Sequence, residues 1–266
     1  MPESRGVQSI EVGSRLLEAL AFSPSPVALK DLAAKADIPS AQAHVYLTSY
    51  KKLGLVDQDR ATGRYRIGPF AMRLALSRLR SDVPLRLGCE AAAELNAQLG
   101  ATVTMTVWGC GAPTVVLVHD GPEDIHINLR AGRVYNVTTT ATGRLFAAYR
   151  HDRDVKERVA TELAASPGQD RKAKQSSSEF KAAVAAARNA GYTRASGVPI
   201  PGVAALAAPV LDPNGEISFA LTIIGPQATL DVNPEGRPLR TLLSKTLDIA
   251  ERAYGTVRKL DETLRA

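Results

Sequence analysis

Two short amphipathic segments separated by a tight break, then a glycine-containing hairpin dense in arginine, constrain the fold of this 266-residue chain more than any other feature. They occupy residues 28–67. In the first segment Leu29, Leu32, Ala33 and Ala36 recur at helical spacing and predict one buried stripe. Asp37-Ile38-Pro39-Ser40 interrupts it, because proline disfavours helical geometry in the residue before it yet fits a helix's first turn. A second helix is expected over 40–53, with Ala43, Leu47, Tyr50 and Leu53 inward and Gly54 as its stop. Residues 55–58 and 64–67 then read as strands joined through Asp59-Arg60-Ala61-Thr62-Gly63. An earlier helix carrying Ile10, Val12, Leu16, Leu17 and Leu20 ends near Ser23-Pro24-Ser25-Pro26 and supplies the third helix such a core needs. That order is a winged helix-turn-helix.

A helix of this kind has the diameter to enter the major groove of double-stranded DNA, where outward side chains reach base edges and basic groups hold phosphates. The expected outward set is Ser40, Ala41, Gln42, His44, Val45, Ser49 and Lys52. Gln42 suits adenine through its amide, and Lys51, Lys52, Arg60, Arg64 and Arg66 suit phosphate oxygens. A module that contacts another protein through the same solvated faces is the alternative reading.

Charge agrees with the first reading. The chain carries +6, and residues 1–85 hold 12 Lys and Arg against 8 Asp and Glu, so most of the excess lies with the module. Cys89 and Cys110 are too few and too far apart for a metal or disulfide framework, which points to the reducing cytoplasm. No apolar run is long enough to span a bilayer, and residues 1–12 lack the apolar core of a secretion signal. His119, His126, Asp120 and Asp124 fall close together, yet no catalytic or metal-binding spacing supports them, so neither an enzyme nor a cofactor is expected.

Beyond the wing, residues 70–80 interleave apolar and basic side chains and read as a connecting helix that is also a candidate dimer contact. Helices are expected over 85–99, 142–165, 178–190 and 238–264, with Ser176-Ser177-Ser178 as a cap region. Residues 101–108 and 113–119 form one β-branched hairpin, and 203–211 and 216–224 a second across Asp212-Pro213-Asn214-Gly215. Residues 124–130 read as a further strand. Antiparallel hairpins flanked by helices make an α+β sensor-like domain, not a parallel nucleotide-binding sheet. The expected division is 1–68 for the winged module, 69–84 for a linker helix, and 85–266 for an effector-binding and oligomerisation domain.

Three segments in this order resemble the IclR family of bacterial transcription regulators: Gly63-Arg64-Tyr65-Arg66-Ile67-Gly68, Thr139-Thr140-Ala141-Thr142-Gly143-Arg144, and Gly202-Val203-Ala204-Ala205-Leu206-Ala207-Ala208-Pro209-Val210 followed by Ile224-Gly225-Pro226. The resemblance spans nearly the whole chain. It implies a linker helix, a C-terminal domain related to GAF and PAS sensors, and homodimers or homotetramers on DNA, controlling a catabolic operon in response to a small organic acid. Val45 stands where members commonly carry arginine after the recognition-helix histidine, and Arg144 replaces the usual lysine, keeping the charge but changing its donor geometry.

The resemblance places the ligand between the sheet and the loop before residue 141. A helix N-terminus favours an anion there, which makes Thr140, Ala141, Thr142 and Gly143 the first candidates. By family position, Val203 and Ala205, the preceding Ala195 and Ser196, and the later Thr222 and Ile224 also face the ligand. Trp108, Met105 and Leu129 would widen the site for an aromatic or branched carboxylate, with Arg130 or Arg133 as its partner.

Overall fold

The computed structural model describes residues 6–109, 111–123, 129–164 and 170–255. They divide into two compact units at Ser81/Asp82, three residues before the expected end of the linker. The shift follows from Asp82, whose side chain caps the next helix by accepting from the Leu85 amide.

The first unit runs α1 (Gln8–Ala21), α2 (Leu29–Lys35), α3 (Ser40–Leu53), β1 (Val56–Gln58), β2 (Tyr65–Ile67) and α4 (Pro69–Ser81). Leu16, Leu20, Leu32, Ala43, Leu47 and Tyr65 form its core. The turn between α2 and α3 passes through Asp37 in the left-handed region (φ 52°), which aspartate tolerates, and Gly54 (φ 73°) ends α3. The α3 stripe is shorter than its periodicity suggests: Tyr50 is half-buried, but Leu53 is 61 % exposed, since the last turn runs past the core. Helix α4 buries none of its side chains.

The second unit runs α5 (Val83–Leu99), β3 (Thr102–Gly109), β4 (Ala112–His119), α6 (Ala141–Tyr149), α7 (Arg153–Ala164), α8 (Asp170–Ala190), β5 (Thr193–Ser196), β6 (Val203–Leu211), β7 (Ile217–Pro226) and α9 (Arg237–Tyr254). The strands form one antiparallel sheet ordered β4-β3-β7-β6-β5. Both hairpins form as expected, and the fold is α+β.

Four elements differ from their sequence reading. The expected 142–165 helix is two helices, because Arg150 turns extended (φ −122°, ψ 125°) with no glycine or proline to signal it. Helix α8 starts at Asp170, so Ser176-Ser177-Ser178 sits inside it and not at its start. Its first turns are polar helix formers that show no apolar stripe. Edge strand β5 is too short to display alternation. Of the expected 124–130 strand, 124–128 lie outside the described residues, as do 256–264 of the last helix, while Leu129 and Arg130 are not in a strand. Among the described residues no helix is long and apolar enough to cross a membrane.

Strand alternation gives the sheet two unlike faces. Register aligns Thr102, Thr104 and Thr106 of β3 with Ile224, Thr222 and Ala220 of β7, and these with Ala205, Ala207 and Pro209 of β6. The intervening positions, Val103 and Met105 with Ile223 and Leu221, face the other way. A β-carbon on Gly88 of α5 would lie 2.8 Å from Met105 Sδ and 2.6 Å from a Phe219 ring carbon, so α5 packs closely on that apolar face. Helix α6 lies on the threonine-and-alanine face, where Thr193 donates to the Ala141 carbonyl (2.8 Å) and the Thr142 and Thr222 hydroxyls bond at 2.8 Å.

Candidate functional site

In the winged unit, Ser40, Gln42, His44, Val45, Ser49 and Lys52 are all exposed on α3, with Val45 65 % accessible. The Ser49 hydroxyl donates back to the Val45 carbonyl (3.3 Å), the helix-internal bond that serine makes when nothing else claims it. The basic groups divide into two kinds. Lys51 donates to Gln58 Oε1 (2.6 Å), whose amide donates on to the Gly63 carbonyl (2.9 Å), so α3 is tied to the wing. Arg64 donates to the Pro26 carbonyl (3.3 Å).

Arg66 contributes Nε (3.0 Å) and Nη2 (2.7 Å) to one oxygen of Asp57 across the wing. That bond holds the Asp57 carboxyl below its ordinary value and raises the guanidinium. Asp59 accepts from the amides of Ala61 and Thr62 and from the Thr62 hydroxyl, which fixes the wing tip and holds this carboxyl low as well. Lys51, Arg64 and Arg66 are therefore partly occupied in holding the wing. Lys52 and Arg60 make no hydrogen bond or ion pair among the described residues.

The second unit holds a cavity of about 270 Å³ between the N-terminus of α6 and the threonine-and-alanine face. Of the expected ligand residues, Leu129, Thr140, Ala141, Thr142, Val203, Ala205, Thr222 and Ile224 line it, as does Ala195. The remainder do not. Met105 is fully buried on the opposite face, one residue out of phase with Thr104 and Thr106. Trp108 is on the right face but at the far end of α6, 5.7 Å from the Phe146 ring and with the Arg150 guanidinium 5.4 Å above it. Ser196 alternates away from Ala195 and is exposed. Arg130 is exposed and outside the lining, so of the two arginines Arg133 is the one at the cavity.

Gly143 is also absent from the lining, for a reason that shapes the site. Its amide bonds the Thr140 hydroxyl (2.9 Å), and a β-carbon there would stand 2.2 Å from the Asn136 carbonyl oxygen. The glycine thus lets the loop of 136–140 lie against α6. From the other side Glu162 of α7, 9 % exposed, accepts from the Val137 amide (3.0 Å) and from the Thr138 amide and hydroxyl (2.9 Å each). Arg158 Nε also donates to it at 2.8 Å. The amides of Ala141 and Thr142, in the first turn of α6, have no acceptor within the helix and carry the positive end of its dipole.

Sequence reasoning missed Val134, Tyr135, Asn136, Val198, Pro199 and Ile200, which close the cavity from loops. Loops carry no periodicity, and only the dense glycine and proline of 197–202 marked a turn there. Burial raises the Tyr135 phenol above its ordinary value, although Thr104 and Arg133 pull the other way. Arg144 packs on the outer side, where burial lowers its guanidinium and its Nε donates to the Thr138 carbonyl (3.4 Å).

Comparison with known proteins finds the same two parts. Residues 9–60 match the IclR helix-turn-helix domain, and residues 90–251 match the family pattern described as bacterial transcriptional regulator IclR C-terminal. The glycerol operon regulatory protein of Streptomyces griseus is 28 % identical over 262 residues, covering 93 % of this chain and 95 % of that one. Its namesake in Streptomyces coelicolor matches at 28 % over 148 residues, 55 % of this chain and 58 % of that protein. The crystal structure of Pseudomonas aeruginosa HmgR is 32 % identical, with a TM-score of 0.57, over 94 % of this chain and all of the other. With a winged helix-turn-helix unit, a sheet-borne cavity and family patterns over both units, the chain belongs to the IclR family of bacterial transcriptional regulators.

Proposed function

We propose that this chain binds specific duplex DNA through α3 and its wing, and that a small organic carboxylate in the cavity of the second unit controls that binding. The observation that carries the reading is the cavity itself: it brings the first-turn amides of α6, the threonine hydroxyls and Arg133 together against an aliphatic wall. Ala141 and Thr142 offer amides to the carboxylate, and Arg133 faces it with a full charge. Thr140 supports the site indirectly, since its hydroxyl donates to the Asn136 carbonyl (2.6 Å) while capping Gly143. Control requires only that the ligand bind one arrangement of the assembly better than another.

On the DNA side, Gln42 reads adenine, Val45 meets a thymine methyl, and Lys52 and Arg60 hold phosphates. The exposed α4, with Met72 63 %, Leu74 51 % and Leu76 48 % accessible, supports a homodimer, because an isolated amphipathic helix of this length is marginal in water. Leu74→Glu with Leu76→Glu is expected to turn the assembly monomeric in analytical ultracentrifugation while leaving the Tm of the second unit unchanged.

Selection from random duplexes tests the reading: a two-fold site should be enriched, and its affinity should fall steeply with salt. Removing both charges with Lys52→Ala and Arg60→Ala takes two phosphate contacts from each protomer of the dimer and should flatten the slope of log K against log salt by about 3.6, since each lost contact removes roughly 0.9. An unenriched pool, or a slope unmoved by the double variant, would favour a protein-contact module instead.

A further inference from the structure

A second recess in the sheet-bearing unit lies in the angle between α7 and α8, where both meet the end of α6. It encloses about 400 Å³ and shares no lining residue with the cavity at the start of α6. Its floor is apolar: Val155 and Val159 stand one turn apart on α7, and Phe180 and Val184 one turn apart on α8. Helices ordinarily bury such stripes against a neighbour, yet Val159, Phe180 and Val184 remain half-exposed along the recess. Cations gather where α6 stops. Arg150 and His151 follow that helix directly, and Lys156 lies in the first turn of α7. Arg188 of α8 is held at the same end, its Nε (3.0 Å) and Nη2 (2.7 Å) donating to the Ala148 carbonyl. Arg150 pairs with Asp152, whereas Lys156 makes no hydrogen bond or ion pair among the described residues. Those that line the recess include no carboxylate.

A recess with cations at one end and an aliphatic and aromatic floor beyond them matches a ligand divided in the same way. We infer that it is a second binding site, for a small phosphate monoester whose phosphate meets Arg150, Lys156 and Arg188 and whose apolar portion lies on Val159, Phe180 and Val184. A phosphate close to two negative charges answers three neighbouring cations where a carboxylate brings one, and its bonds to them are charge-assisted. About 400 Å³ falls within the size of small-molecule sites. Occupancy also has a route to the loop of 136–140. Val155, Val159 and Glu162 fall at i, i+4 and i+7 on one face of α7, and Glu162 is the carboxylate that holds the Val137 and Thr138 amides. A ligand that fixes α7 against α8 therefore steadies that loop.

Calorimetric titration of the full chain with phenyl phosphate, inorganic phosphate and phenol tests this. Phenyl phosphate should bind roughly tenfold or more tighter than either fragment, since only the ester meets both halves of the recess. Lys156→Glu, at an exposed position where folding is spared, should weaken it about tenfold or more, and Lys156→Arg, which keeps the charge, by about threefold at most. Val203→Trp fills the other cavity and should leave this binding unchanged, so a ring-bearing anion lodged there is told apart from one lodged here. Saturation with phenyl phosphate should slow hydrogen exchange at the Val137 and Thr138 amides. Binding that survives Lys156→Glu, binding lost in a folded Val203→Trp variant, or exchange that does not change overturns the proposal. Failure of phenyl phosphate to bind overturns it too, and leaves the acidic face of a protein partner as the occupant.

Discussion

Glu162→Ala should destabilise the second unit by about 3 kcal/mol, because one nearly buried carboxylate bonds two loop amides, one hydroxyl and one guanidinium. Its removal leaves the Val137 and Thr138 amides without acceptors and Arg158, 33 % exposed, without its partner. Partial exposure of that arginine keeps the cost at the lower end for a broken buried pair. In a unit of this size the loss is roughly 6–12 °C in Tm, which differential scanning calorimetry resolves. Glu162→Gln keeps one acceptor oxygen and should fall between parent and alanine variant. An alanine variant that melts like the parent would mean that the loop is held by other contacts. The same variant should weaken carboxylate binding, since Asn136, Thr139 and Thr140 reach the cavity from the stretch that Glu162 pins.

Gly143→Ala separates two opposed effects. Helix propensity alone makes alanine better than glycine by about 1 kcal/mol in a helix interior. Against that, the added carbon would meet the Asn136 carbonyl oxygen at 2.2 Å and the Val137 α-carbon at 2.6 Å, both backbone atoms that cannot swing aside. Overpacking of this kind costs about 1–3 kcal/mol or more, so the steric effect wins and the net change should be destabilising by about 2 kcal/mol. Displacing 136–140 from α6 should also weaken carboxylate binding in the cavity. A variant that melts higher than the parent would show that the loop yields and that propensity decides.

The winged unit was legible because its signals are local. Helical spacing, the proline break and the Gly54 stop marked α2 and α3 to within a residue, whereas Leu53 of α3 and Ile10 of α1, read as parts of apolar stripes, are exposed where their helices outrun the core. In the second unit the hairpins were readable from turn residues and β-branched runs. The cavity was readable only in part, because its lining depends on phase. Met105 and Thr104 are neighbours in sequence, but a period of two sends them to opposite faces, and nothing in the run from Ala101 to Trp108 says which face holds the ligand. Trp108 failed differently, being on the correct face but too far along the strand. The break at Arg150 and the loop residues that close the site arise from tertiary contacts without a local signature.

Segregating core and recognition onto opposite faces of one sheet has an evolutionary consequence. Substitutions at alternate positions of β6 and β7 can retune chemical preference while the residues between them, which knit the sheet to α5, stay as they are. A lineage built on this scaffold can explore new metabolites without first surrendering its thermal resilience.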